Sequence, residues 1–290
     1  ERSWNYDASY TRGDSEFATN FLGLDSDRLE LAHYGLGGPN CIPDGDLSNP
    51  IARGLLAGGD GVFNSASAVP GAVGPLEATF EALLGTVPGQ PFINPDNVVV
   101  VPGGKPTMFF AVMMFGEPGA EIMYPNPGFP IYESVIRYSG ATPVPIALRE
   151  ENGFSFSAEE VLAQITPKTR LIIINSPANP TGGVTPKEEI DKLVAGLLDH
   201  PHVALMSDEI YSNMLYGGRE HVSLLQYPEI RDRLIMLDGW SKTYAMTGWR
   251  LGYAVWPEAC VPHVTRLCIN DHSCVNAATQ FAGIAALNGP

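Results

Sequence analysis

Lys242 and Arg250 are the residues of this chain whose setting first suggests covalent chemistry. They stand eight positions apart in DGWSKTYAMTGWRLGY, Asp238–Tyr253. The apolar run Leu234–Leu237 before them reads as a buried strand, and Asp238-Gly239 is a turn pair. Lys242 is therefore expected just past a strand end, on a loop dense in small and hydroxyl residues. There, burial and neighbouring positive charge can remove the ammonium proton and leave a nucleophile able to form a Schiff base. An arginine close by suits a doubly charged phosphate. As an isolated pair, the two fit a surface lysine and a surface arginine flanking a strand better, so their surroundings must decide. Pro102-Gly103-Gly104-Lys105 is a glycine turn between a predicted strand and a predicted helix, where free N–H groups can receive an anion. Asp208 ends the run VALMSD, at the strand edge where α/β sheets collect their ligands.

These positions are set by an alternation that begins at Asn97. NVVVVPGG reads as a strand into a glycine turn, KPTMFFAVMMF as a buried helix, EIMYPNP as a strand and IYESVIRYS as a helix. TPVPIAL is a strand, and SAEEVLAQI a helix with Ser157 as N-cap and Glu160 three residues on. RLIIIN, VALMSD, RLIMLD and LGYAVW are strands, with the helix PKEEIDKLVAGLLDH between the first two. Strands spaced by helices predict a mostly parallel sheet covered on both faces, a three-layer α/β/α arrangement. Upstream, residues 1 to 30 lack periodicity and read as an arm, and Leu31–Pro50 is loop by its Gly, Pro, Asn and Asp content. A helix is expected near Leu76–Leu84.

Composition narrows the function. At 290 residues, 44% hydrophobic and 17% charged, the chain is an ordinary globular one of one or two domains. A net charge of −15 argues against nucleic acid or an anionic membrane as partner. The longest apolar run, Met108–Phe115, is too short to span a bilayer, and the polar, acidic N-terminus is no signal peptide. Cys41, Cys260, Cys268 and Cys274 show no CxxC spacing. No metal is expected, since Cys268, His272 and Cys274 lack a second ligand pair, and reduced thiols make the cytoplasm the default location.

Three ordered stretches, NSPANPTGG (Asn175–Gly183), SDEIY (Ser207–Tyr211) and SKTYAMTGWRLGY (Ser241–Tyr253), resemble the class I/II aminotransferases. These are the fold type I enzymes dependent on pyridoxal 5'-phosphate. The resemblance runs from about Leu31 to the end of the chain. It implies that Lys242 holds the cofactor as a Schiff base and then shuttles a proton between the substrate Cα and the cofactor. It implies that Asp208 faces the pyridine nitrogen, that Asn179 and Tyr211 bond the phenolic oxygen, and that Phe129 in PNPGFPIY stacks on the ring. Gly104 and Lys105, through their main-chain N–H groups, and Arg250 would hold the phosphate. Many relatives have a hydroxyl three residues before the lysine; Gly239 stands there, and Ser241 is the nearer hydroxyl. GLGGPN resembles the family's N-terminal glycine loop, which places Gly37 beside Asn179 at the substrate.

The implied activity is transfer of an amino group from an L-amino acid to a 2-oxo acid, by a ping-pong route through pyridoxamine phosphate, in a homodimer. The implied division is an N-terminal arm with part of a small domain over 1–50 and a large cofactor-binding domain over 51–290. Two departures stand out. The family's tyrosine that reaches the neighbouring subunit's phosphate has no counterpart, since no tyrosine lies between Tyr34 and Tyr124. The small C-terminal domain, with the arginine that grips the substrate carboxylate, is expected beyond Pro290 and so absent from this chain. The motifs fix the cofactor better than the reaction. They leave open a β-lyase, a decarboxylase or a cyclopropane-carboxylate synthase on the same cofactor, and a non-catalytic binder of it.

Overall fold

A computed structural model of the chain describes residues 95–289. The N-terminal arm, the GLGGPN loop with Gly37, the helix expected near 76–84 and the boundary expected at residue 50 lie outside the described residues.

Among the described residues, seven strands form one sheet in the order β1-β7-β6-β5-β4-β2-β3. They are β1 (Val98–Val101), β2 (Glu121–Asn126), β3 (Thr142–Ala147), β4 (Thr169–Asn175), β5 (Ala204–Asp208), β6 (Leu234–Gly239) and β7 (Gly252–Val255). The pairs β2–β3, β2–β4, β4–β5 and β5–β6 are parallel. β7 runs antiparallel to both of its neighbours, β1 and β6. The mostly parallel sheet expected from the sequence is therefore present, with β7 inserted between β1 and the rest.

Residue choice explains the order. β4 and β5, in the middle, carry the apolar runs Leu171–Ile174 and Ala204–Met206 and, apart from exposed Arg170, are buried on both faces, as a covered parallel sheet requires. β3 carries Pro143 and Pro145 and, among the described residues, pairs only with β2, the edge position where a missing N–H does least harm. The helices are α1 (Lys105–Phe115), α2 (Ile131–Ser139), α3 (Ala158–Ala163), α4 (Lys187–Leu197), α5 (Trp240–Thr243), α6 (Val261–His272) and α7 (Ala277–Leu287). Ser157 caps α3 as expected, its Oγ accepting from the Glu160 N–H at 3.4 Å. Glu160 does not return the bond; its carboxylate accepts from Arg149 instead, at 2.7 and 2.8 Å.

Alternation along each strand divides the interior in two. Leu205, Met236, Ile172 and Ile174 belong to one apolar cluster, with α4 residues Ile190, Leu193, Val194 and Leu197. Met206, Leu237, Leu171 and Ile173 belong to the other, with Phe110 and Ala111 of α1 and Tyr132 and Ile136 of α2. The three layers are thus two cores back to back across one sheet. No helix among the described residues is long and apolar enough to cross a membrane.

Candidate active site

The carboxyl ends of β1, β4, β5 and β6 open into one cleft of about 160 Å³. Gly104, Lys105, Phe129, Asn179, Asp208, Tyr211, Ser241, Lys242 and Arg250 all line it. Every site residue singled out in the sequence, apart from Gly37 outside the described region, therefore reaches the same place. A wider groove of about 590 Å³ lies beyond Arg250, lined also by Pro102, Trp249, His272 and Asn276. It contains neither Lys242 nor Asp208, so the smaller cleft is where the chemistry converges.

Lys242 departs from expectation in its local setting. It lies on one helical turn, α5, which begins directly off β6, rather than on a loop. The Tyr244 N–H closes that turn on the Trp240 carbonyl at 3.2 Å. The turn is anchored by Trp240, whose buried indole donates to the Gly283 carbonyl of α7 at 3.0 Å. Lys242 is half-buried, and its Nζ sits 5.4 Å from the centre of the Tyr211 ring.

The glycine turn and Arg250 form a cradle. Gly103 has φ +83°, the left-handed region that glycine tolerates, and a Cβ there would collide with the Arg250 guanidinium. Arg250 itself has φ +54° and donates to the Thr247 carbonyl at 2.8 Å and the Pro102 carbonyl at 3.2 Å. Beneath them the strand ends meet backbone to backbone: a Cβ on Gly252 would stand 2.8 Å from Gly103 C and Gly104 N, and one on Gly239 would stand 2.8 Å from Gly252 Cα. α1 starts at this point, so its first N–H groups and a guanidinium frame one small volume suited to an anion.

Asp208 is buried at the end of β5. Its Oδ2 accepts from the Tyr132 hydroxyl at 2.6 Å, and its Oδ1 from the Ile210 N–H at 3.3 Å. Burial pushes the carboxyl up to about 6, against the pull of those hydrogen bonds and of Lys242. Burial and the Asp208 charge also hold the Tyr132 phenol well above its ordinary value, so it stays a donor. Asn175 Nδ2 donates to the Asp208 carbonyl at 2.9 Å, and Asn175 Oδ1 accepts from the Asn179 N–H at 2.8 Å. The peptide bonds before Pro177 and Pro180 are both cis. Phe129 lies edge-on to Tyr132 at 6.1 Å, and Lys105 Nζ lies 5.6 Å over its ring.

The sequence reading passed over Tyr132, Asn175 and Thr247. Tyr132 carried a usable signal, standing three residues after Phe129 at a helix start, where one turn returns it to the same face. Asn175 opens the NSPANPTGG stretch but reads as a strand end until the Asp208 carbonyl is placed beside it.

Comparison with known proteins points the same way. Residues 75–290 match the family described as aminotransferase class I and II. An aspartate aminotransferase from Rhizobium meliloti (strain 1021) is 37% identical over 196 residues, 67% of this chain and 48% of that protein. One from Sulfolobus acidocaldarius is 30% identical over 262 residues, 90% of this chain and 64% of that protein. Among solved structures, the aspartate aminotransferase from Rhizobium meliloti gives a TM-score of 0.70 at 33% identity, covering 77% of this chain and 55% of that one. An aromatic aminotransferase from Pyrococcus horikoshii OT3 gives 0.69 at 29%, covering 74% and 57%. The chain spans about half the length of the first of the curated relatives it matches.

Proposed function

The chain belongs to the aminotransferase class I and II family, and on that premise we propose that it is a pyridoxal 5'-phosphate-dependent transaminase, passing an amino group from an L-amino acid to a 2-oxo acid. The observation that carries this reading is the convergence of an amine, a buried carboxyl and an anion cradle in one cleft.

The residues present fit the cofactor. Arg250 and the first N–H groups of α1 are suited to its phosphate, and Gly103 keeps the floor free of a side chain that would displace the guanidinium. Asp208, held at about 6 by burial, gains most from a cationic ring nitrogen brought against it. Tyr132 fixes the direction of that carboxylate. Asn179 and Tyr211 supply donors to the same cleft, Ser241 a hydroxyl beside the lysine, and Phe129 an aromatic face. When bound, the cofactor supplies a carbonyl carbon for an amine and a ring that accepts the electrons left when Cα loses its proton. Lys242 is the base that removes and returns that proton, a role that typically contributes about 10²–10⁴-fold.

Aspartate is the first amino acid to try, because the relatives are named aspartate aminotransferases. Asn179 and, outside the described residues, Gly37 are the proposed substrate contacts. The proposed assembly is a homodimer, with exposed Phe109, Met113 and Tyr138 of α1 and α2 as an apolar face available to it. The free thiols of Cys260, Cys268 and Cys274 support the cytoplasm as the location. The proposed division keeps residues 51–290 as the cofactor-binding domain.

The test loads the full-length protein with cofactor and follows its absorbance. Addition of an amino acid should shift the band, and a 2-oxo acid should restore it with release of a new amino acid. Ammonia or pyruvate release without that reversal would assign a lyase instead. A band indifferent to every amine would make the protein an inert binder.

A further inference from the structure

Behind the cleft, on the opposite face of the sheet, lies a second polar cluster with no place in the reaction described above. Alternation along β5 puts Ser207 and Glu209 on the side away from Asp208. Glu209 is 3% exposed, and its carboxylate is fully engaged. Oε1 accepts from the Ser207 hydroxyl at 2.8 Å and the Leu224 N–H at 3.0 Å, and Oε2 meets His221 Nε2 at 2.8 Å. Asp238, at the end of β6, faces the same pair, and Ser212 Oγ reaches its Oδ2 at 3.4 Å.

The chain leaves the sheet at Glu209 and returns at His221–Leu224. The excursion between them carries Tyr211, and its tip, Tyr216-Gly217-Gly218, is exposed, with both glycines at positive φ. One buried carboxylate thus ties the outgoing strand, the returning histidine and the returning backbone together. We propose that Glu209 and His221 are positioning residues, clamping the base of the 211–220 excursion and so fixing Tyr211 against the Lys242 amine. The proposal rests on the transaminase reading for its effect on turnover, but not for the clamp itself. Burial works against the imidazolium, yet the hydrogen bond to Glu209 and the charges of Glu209 and Asp238 outweigh it and raise the His221 pKa. Asp208 on the far side of β5, and Tyr253 and Tyr244 beside Asp238, complete the titratable surroundings.

Three measurements on the full chain test this. In cofactor-free protein, His221→Ala should speed amide exchange over residues 212–220 by about tenfold or more, while β4 and β5 stay protected. His221→Gln, which keeps a donor, should restore part of that protection. By NMR, the His221 ring should titrate above an ordinary histidine, and Glu209→Gln should bring the midpoint down. In loaded protein, His221→Ala should lower kcat by roughly ten- to a hundredfold with KM nearly unchanged, as a displaced catalytic wall would. Unaltered exchange over 212–220 in folded His221→Ala overturns the clamp. Faster exchange with unaltered kcat overturns its positioning role. A parent protein without transaminase activity is the failure of the other reading, and the exchange and titration results then decide the clamp alone.

Discussion

Asp208 and Glu209 are neighbours in the chain, both buried carboxyls at the end of β5, yet they live on opposite faces of the sheet. Asp208 opens onto the cleft, its Oδ2 held by Tyr132 from a helix 76 residues away in sequence. Glu209 looks into the other core, where three donors from its own strand and the returning loop surround it. The first carboxyl lines the cleft where the proposed chemistry would take place. The second has spent its capacity on holding the chain. A one-residue change of parity separates reagent from clamp.

That contrast can be broken at several points, the most severe on the cleft side. Lys242→Ala should reduce transamination by about 10²–10⁴-fold with the fold intact. Near-parental turnover by the purified variant, without added amine, would remove the cleft's claim to be the active site. Tyr132→Phe leaves the Asp208 carboxylate short of one charge-assisted hydrogen bond, worth about 1.5–3 kcal/mol, so kcat should fall roughly tenfold or more. A parental kcat in Tyr132→Phe would mean that Asp208 needs no orientation.

Effects tied to the fold itself should be gentler and should follow pH. A group that binds its proton more tightly when folded stabilises the fold below its unfolded pKa, and that contribution fades as pH rises through the folded value. Asp208 rises from 3.8 to about 6, Asp238 from 3.8 to about 7, each chiefly by burial, and His221 also lies above its ordinary value. All three act in one direction: the two carboxyls make the melting temperature of cofactor-free protein drop as pH climbs from about 4 through about 7, and His221 carries the decline on above its ordinary value of 6.5. Carboxylates held low, such as Asp191 beside Lys187, act oppositely and toward more acid conditions. Asp238→Asn should flatten the decline, with a gain that grows over the same range. A variant whose melting curve tracks the parent at every pH would show that the Asp238 carboxyl is not desolvated.

Much of this was legible before any coordinates. The runs VVVV, LIII and LIML are apolar at every position, which marks buried strands, and glycine turns separate them from helices. The motif around Lys242 placed the amine and the arginine together. What could not be read is long-range. Nothing local to Leu251–Trp256 says that this strand inserts antiparallel between β1 and β6, because that depends on pairing across some 150 residues, Val98 with Val255. For Tyr132 the spacing from Phe129 hints at the cleft face, but its partner Asp208, 76 residues on, is set by tertiary packing. The single turn α5 escaped because its sequence, WSKT, is a poor helix former held by its anchors.

The meeting of Gly103, Gly239 and Gly252 has one more consequence. With backbone touching backbone, the arm that bears the lysine and the cup that would grip a phosphate are welded into a single rigid casting. Their separation works as a fixed gauge, set by main-chain geometry and not adjustable by exchanging side chains. Divergence toward new substrates must therefore remodel the opposite walls, while this corner is inherited unaltered or lost altogether.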